Sequence, residues 1–362
     1  VGGTAPTHPG RDDPAAQPGK WLIARRVRLS KGFAQVTFPT GEVARMTRAE
    51  RLISIGGGKG GVGKSVLAGN LATALAQAGK RTVLVDADLG APNLHTMFGI
   101  DKAGPTLQSF IDHEIESLED ARVDTTVRGL TLVRGASAIV GAANIGFQQK
   151  QRLLRHISAL TADVVVVDVG AGTGFNQLDL FDVADQKVVV MTPQLTSIHN
   201  AYAFVKGAVF RIADRILKAH GFEQALDERG LEGETVSLKH LLRDVVGCSP
   251  KVEAELREAL EQFRLKLFGN QVFDVREAGV FRAVGKMMGD FLSVPAPLIG
   301  FAKASRAVHE SVNRRQPLLA ALHNDETGRA FREVAAVLLA EPIRRGTLPA
   351  LMPDALQETA AA

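Results

Sequence analysis

The feature that most constrains this chain is the run GGGKGGVGKS at residues 56–65. It stands between a short apolar run, LISIG (52–56), and SVLAGNLATALAQAG (65–79), where Leu67, Leu71, Leu75 and Ala78 recur at helical spacing. A strand must therefore end in the glycines and a helix must begin where they stop, with Gly79 closing that helix. Residues 58–65, GKGGVGKS, satisfy G-x-x-x-x-G-K-[ST] in this setting. Glycines allow backbone N–H groups to turn inward and approach phosphate oxygens. The start of the following helix adds its positive dipole end. Gly58, Gly60, Gly61, Val62, Gly63, Lys64, Ser65 and Val66 are the expected phosphate and nucleotide contacts, with Lys64 reaching the β- and γ-phosphates and Ser65 ligating Mg²⁺. A second lysine inside the loop, Lys59, has no place in that description.

The rest of the chain repeats the same strand-then-helix rhythm. TVLVD (82–86), GLTLVRG (129–135), DVVVVD (163–168), KVVVMT (187–192), LKLFGNQV (265–272) and APLIGF (296–301) read as strands. Four consecutive valines imply burial on both faces, the mark of a parallel sheet. QKQRLLRHISAL (149–160), VSLKHLLRDV (236–245), KVEAELREALEQF (251–263) and VREAGVFRAVGKMMGDF (275–291) read as helices, with Met287 and Met288 as core packing. The alternation predicts an α/β fold over residues 52–340: a doubly wound, mostly parallel sheet with helices on both faces.

Residues 1–20 contain four prolines and four glycines without apolar periodicity, and read as a disordered lead-in rather than a secretory signal. Residues 21–51 alternate around Lys31-Gly32 and read as a β-hairpin extension. This extension is basic. Residues 1–51 hold nine Lys/Arg against four Asp/Glu, a net +5, while the whole chain carries only +4. The body is thus near neutral, which weakens a case for nucleic-acid binding by the body itself. The basic segment 20–31 reads as a solvated hairpin or as a contact for an acidic partner, nucleic acid or membrane surface. No apolar run approaches the length of a membrane span, roughly 18 residues. Cys248 is the single cysteine, which excludes an intrachain disulfide or a cysteine-held cluster within one chain and fits a cytoplasmic location. It reads as a small buried hydrophobe.

A phosphate loop of this kind needs acids at nearby strand ends to organise magnesium. Asp168 ends DVVVVD in the Walker B form, and Asp86 and Asp88 end TVLVDAD. Both runs leave their carboxyls at the sheet edge where α/β proteins bind ligands. Helix capping or turn formation is the other reading of Asp86 and Asp88.

Together these residues resemble the MinD/ParA group of ATPases. GKGGVGKS is similar to the deviant phosphate loop of that group, whose extra lysine falls at Lys59. VDADLGAPNLH (85–95), VVVVDVGAGTGFNQLDLF (164–181) and TPQLTSIHNAYAFVK (192–206) resemble its next three motifs. The resemblance covers about residues 52–340, and its details look most like the FlhG-like branch (FleN or YlxH), which places flagella. It implies a P-loop NTPase fold of the SIMIBI type, with ATP and Mg²⁺ as ligands and a homodimer formed with ATP. It implies that Lys59 reaches across the dimer to the partner's phosphates, that Asp88 positions the attacking water, and that Asp86 and Asp168 belong to the magnesium shell. Asn270 sits where the group often has an adenine-contacting asparagine; a strand-end turn residue is the other reading.

The chain departs from the branch in places. No Asp-Gln-Ala motif occurs in residues 1–51, GFAKASRAV (300–308) lacks the usual Pro and Asp, and the tail 341–362 carries prolines at 342, 349 and 353 with only Arg344 and Arg345 as basic residues. A membrane-binding amphipathic helix is not expected from such a tail.

The leading expectation is a dimerising ATPase switch that positions a flagellum or another polar or division complex, with an unknown protein partner stimulating turnover. The alternatives are a partition ATPase whose ATP dimer binds DNA nonspecifically, and a nucleotide-binding scaffold with little hydrolysis. A membrane or DNA surface stays open as a further partner. Cluster carriers with the same loop need more thiolates than Cys248 supplies. Tyrosine kinases with the same loop need a tyrosine cluster, and Tyr202 is alone.

Overall fold

In a computed structural model of the chain, residues 49–101, 103–135, 145–221, 249–322 and 325–343 are described. The expected lead-in, residues 21–48 of the basic extension, the helix expected at 236–245, Cys248 and the tail from 344 onward lie outside the described residues.

Within them, β1 (Arg51–Gly56), β2 (Thr82–Ala87), β3 (Arg122–Asp124), β4 (Leu130–Val133), β5 (Val164–Val169), β6 (Gln186–Met191), β7 (Leu265–Val272) and β8 (Leu298–Lys303) form one sheet. The strand order is β3-β4-β2-β5-β1-β6-β7-β8. Every pairing is parallel except β3 with β4. The helices are α1 (Lys64–Gln77), α2 (Leu94–Met97), α3 (Leu107–Ile111), α4 (Phe147–Ala159), α5 (Phe175–Asp182), α6 (Leu195–Ala219), α7 (Pro250–Gln262), α8 (Ala278–Leu292), α9 (Arg306–Asn313), α10 (Leu318–Ala321) and α11 (Glu326–Ala340).

The valine run of β5 shows why both faces are covered. Side chains alternate across a strand. Val165 and Val167 enter one core with Leu153 of α4, Leu178 of α5, Phe204 of α6, Leu256 of α7 and Phe281 of α8. Val164 and Val166 enter a second core with Leu71 of α1, Leu318 of α10 and Phe331 of α11. Met288 is fully buried in the first core and Met287 packs against it, as expected.

Three local expectations are corrected. The helix after the loop is not buried along one stripe: residues from Leu67 to Ala76 are buried all round and Ala78 is exposed. The sheet lies on one side of α1, while α10 and α11 lie across the other. Its cap is Ala78, with Gly79 one residue beyond at φ 84°, the left-handed turn that glycine takes at no steric cost. The last strand starts at Leu298 rather than 296, since Pro297 has no N–H to give; its carbonyl accepts from Leu267. The stretch expected as a helix from 275 opens as a 3₁₀ turn, Val275–Glu277, capped by Asp274. The elements β3, α2 and α3 have too few residues to show a period.

The chain leaves β1 toward β2 on one side of the sheet and leaves β6 toward β7 on the other. Ligands of α/β sheets bind outside the carboxyl ends of strands at such a reversal. At the opposite end, the Arg51 guanidinium donates to the carbonyls of Leu338 and Leu339 at 3.0 and 2.9 Å, placing a cation on the C-terminus of α11. Glu341 accepts there from Gln186 Nε2 at 3.0 Å and Arg264 Nη2 at 2.6 Å. Among the described residues no helix is long and apolar enough to cross a membrane.

Candidate nucleotide site

The loop between β1 and α1 lies at the reversal. Two of its glycines are required by what surrounds them. Gly63 takes φ 94°, and a Cβ there would stand 2.1 Å from Asn270 Nδ2. A Cβ on Gly58 would stand 2.0 Å from the Asn200 carbonyl oxygen, so α6 presses directly on the start of the loop. Gly61 also takes a left-handed φ, 78°, while Gly60 is exposed with open space around it. Val62 is buried, and Val66 packs half-buried against the core on the α1 side.

The two lysines have different partners. Lys64 is buried, and its Nζ donates to the Lys59 carbonyl at 3.3 Å. Burial lowers its pKa from the ordinary lysine value, against the pull of Asp168 and Asp88. Lys59 instead donates through Nζ to the Thr196 hydroxyl at 2.9 Å, in the first turn of α6.

The acids converge behind the loop. Asp86 and Asp168 face each other in register on β2 and β5, and both are buried. Burial, reinforced by the charge of Asp86, pushes the Asp168 carboxyl up to about 8; the Ser65 side chain hydrogen-bonds it in opposition. Asp168 Oδ1 has no hydrogen-bond partner. Burial pushes Asp86 up to about 7 although it accepts from the Leu94 amide at 3.0 Å and the Asp88 amide at 3.4 Å. Asp88 Oδ1 accepts from the amides of Gly90 and Ala91 at 3.1 and 3.0 Å. A Cβ on Gly170, just past β5, would come within 2.9 Å of that same oxygen. The capping and turn bonds anticipated as the other reading of Asp86 and Asp88 are therefore made, and the same two residues also stand beside Lys64 and Asp168.

A buried carboxylate pair with one oxygen unpartnered is costly unless a cation joins it. Ser65, Asp86 and Asp168 thus form an oxygen-only donor set of the kind magnesium takes, which fits the ion. The loop amides and Lys64 fit the phosphates it would accompany. Asn270 donates through Nδ2 to the Val62 carbonyl at 2.8 Å, which brings it to the loop.

Several contributors were not visible in the sequence. Thr196, Asn200 and Gly170 meet the loop and its acids only because α6 and the end of β5 fold beside them. Gln271 donates through Nε2 to the Gly61 carbonyl at 3.3 Å. TPQLTSIHNAYAFVK was a signal for the first two as a segment, without distinguishing those positions.

Comparison with known proteins agrees with this geometry. The family model described as ParA, NUBPL iron-transfer P-loop NTPase, matches residues 48–211. The antiactivator FleN of Pseudomonas aeruginosa is 35% identical over 158 residues, 43% of this chain and 55% of that protein. The flagellum site-determining protein YlxH of Helicobacter pylori is 33% identical over 163 residues, 43% of this chain and 53% of that protein. The matches thus span about half the length of these curated relatives. The septum site-determining protein MinD from Pyrococcus horikoshii, solved with Mg-ADP, shares the fold over 80% of this chain and 95% of its own, with a TM-score of 0.56 at 17% identity. Residues 48–211 are thus similar to the ParA family of P-loop NTPases, and the chain is similar in sequence to FleN and YlxH and in fold to MinD.

Proposed function

We propose that this chain is an ATP-hydrolysing switch that dimerises with ATP and positions a cellular structure, a flagellum or another polar or division complex. The observation that carries the reading is the pair of lysines in one loop with separate partners. Lys64 lies against the loop backbone beside Asp168 and Asp88. Lys59 extends to Thr196 on the neighbouring helix. On this reading one cation serves the nucleotide held by its own loop and the other serves that of a second copy.

The geometry supports the following roles. The amides of Gly58 to Val66 and the Lys64 ammonium bind phosphate oxygens. Ser65, Asp86 and Asp168 would hold Mg²⁺, which when bound would neutralise charge on the phosphate oxygens. Asp88, the carboxylate ahead of that pair, orients the attacking water. Asn270, which is tied to the loop at the Val62 carbonyl, is assigned to the base. Positive charge delivered in trans to a transferring phosphoryl group accelerates it by ~10³–10⁵ when an arginine supplies it. A lysine delivered the same way makes hydrolysis depend on assembly, so the γ-phosphate becomes a timer for the dimer.

The names of the relatives support the positioning role: YlxH is called flagellum site-determining and the MinD neighbour septum site-determining. We place the protein in the cytoplasm or at its periphery, with a protein partner that stimulates turnover. Residues 1–51, with a net charge of +5, supply positive charge for that partner, for DNA or for a membrane.

The test is turnover per subunit against protein concentration with MgATP. Activity that rises with concentration and tracks a dimer on size exclusion is expected; constant activity of a monomer overturns the switch. If the ATP form is retained on DNA and loses retention steeply with salt, the partition reading replaces the flagellar one.

A further inference from the structure

The end of β7 departs from strand geometry where it passes the phosphate loop. Successive side chains of a regular strand point to opposite faces. Here Asn270 and Gln271, which are consecutive, both reach the loop, donating to the carbonyls of Val62 and Gly61 at 2.8 and 3.3 Å. Two features make this possible. Gln271 takes φ 55°, one of few left-handed non-glycine residues in the described chain. The pairing of β7 with β8 shifts register between Gly269 and Val272. Together they form a bulge, which re-aims side chains at the cost of ladder pairing. A left-handed glutamine is strained, and strain of this kind collects where a ligand is clamped.

The two amides hold neighbouring peptide planes. A trans peptide is planar, so the carbonyl of one residue and the N–H of the next point in opposite directions. Fixing the Gly61 carbonyl therefore fixes the Val62 N–H, and fixing the Val62 carbonyl fixes the Gly63 N–H. Both N–H groups are turned away from β7. Gly61 and Gly63, the flexible residues of this segment, are those whose φ values lie at 78° and 94°. Without an external hold they would sample other conformations freely.

We propose that Gln271 is a positioning residue of the phosphate site: the β7 bulge sets the phosphate-facing amides of Val62 and Gly63 from the far side of their peptide planes. This rests on the phosphate-loop reading above. It assigns to Gln271 a role on the triphosphate rather than on the base.

The experiment measures binding of a fluorescent ATP analogue with Mg²⁺ to the full chain, and its displacement by ATP and by inorganic tripolyphosphate. The variants are Gln271→Ala and Gln271→Gly, the second of which removes the side chain and relieves the backbone. For both, dissociation constants for ATP and tripolyphosphate should rise together by roughly three- to tenfold, the loss of one hydrogen bond, with the melting temperature unchanged or, for glycine, raised. Unchanged constants overturn the proposal. Weakening of ATP with tripolyphosphate unaffected also overturns it, and gives Gln271 to the base. Lys64→Ala separates the underlying reading: if it binds as tightly as the parent chain, the phosphate-loop assignment itself fails and the role of Gln271 falls with it.

Discussion

Lys59 gives its ammonium to the Thr196 hydroxyl at 2.9 Å, which ties the first lysine of the loop to the first turn of α6. The tie is solvent-exposed and neutral on one side, so it is easily exchanged for a stronger partner such as a phosphate. Lys59→Ala should therefore lower ATP turnover about 10³-fold, the low end for a cation supplied in trans. Stability should change by no more than about 0.5 kcal/mol, as for other surface substitutions. Phosphate release and a thermal melt on the same sample check this; near-parental turnover removes Lys59 from the chemistry.

Asp88 does two jobs that one substitution would confuse. Its Oδ1 closes a turn on the amides of Gly90 and Ala91, and its charge lies near Lys64. Asp88→Ala removes both. Asp88→Asn keeps an oxygen for the turn and removes the charge. Both variants should hydrolyse ATP at least ~10²-fold more slowly, the usual contribution of a positioned acid–base group. Asp88→Asn should accumulate as an ATP-bound dimer on size exclusion. A monomer with parental turnover would refute the role.

The fold was legible wherever the sequence carried a long signal. The valines of β5 announced a doubly covered strand, and the glycines with Lys64 and Ser65 announced the loop. What could not be read depended on distant segments meeting. Thr196 and Asn200 touch the loop because α6 starts where β6 ends, next to β1. The all-round burial of α1 depends on α11, more than 240 residues later. The strained bulge at Gln271 has no local signature, since glutamine is not a residue expected at positive φ.

Asp168 and Asp86 are buried side by side, and each is pushed up from the ordinary carboxylate range by burial. Replacing one with an uncharged isostere removes the cost of burying an ionisable carboxyl. In the absence of Mg²⁺, Asp168→Asn should be more stable than the parent chain, by about 1–3 kcal/mol in urea denaturation. It should also lose the stabilisation that MgATP gives the parent, about 2.7 kcal/mol at a hundredfold excess over the dissociation constant. Destabilisation without Mg²⁺, or a full MgATP response, would show that Asp168 is structural and not a ligand.

Away from the loop, Asp179 joins three helices of one sheet face. Its carboxylate takes Lys150 Nζ of α4 at 2.6 Å and Arg211 of α6 through Nη2 at 2.8 Å. Burial would raise its pKa, but the bonds and charges of Arg211 and Lys150 outweigh burial and hold it below the ordinary carboxylate value. A depressed folded pKa means the contribution is present above the unfolded value, near 3.8, and is lost as pH falls through the folded one. Asp179→Ala leaves the nearly buried Lys150 without its acid, and should cost roughly 3–5 kcal/mol at neutral pH. Below the folded pKa of Asp179 the parent chain should lose this advantage, so the two stability curves should converge as pH drops below about 4. Urea midpoints across pH 2.5–7 test it: a constant difference over that range would mean that the ion pair contributes nothing and that only packing was lost.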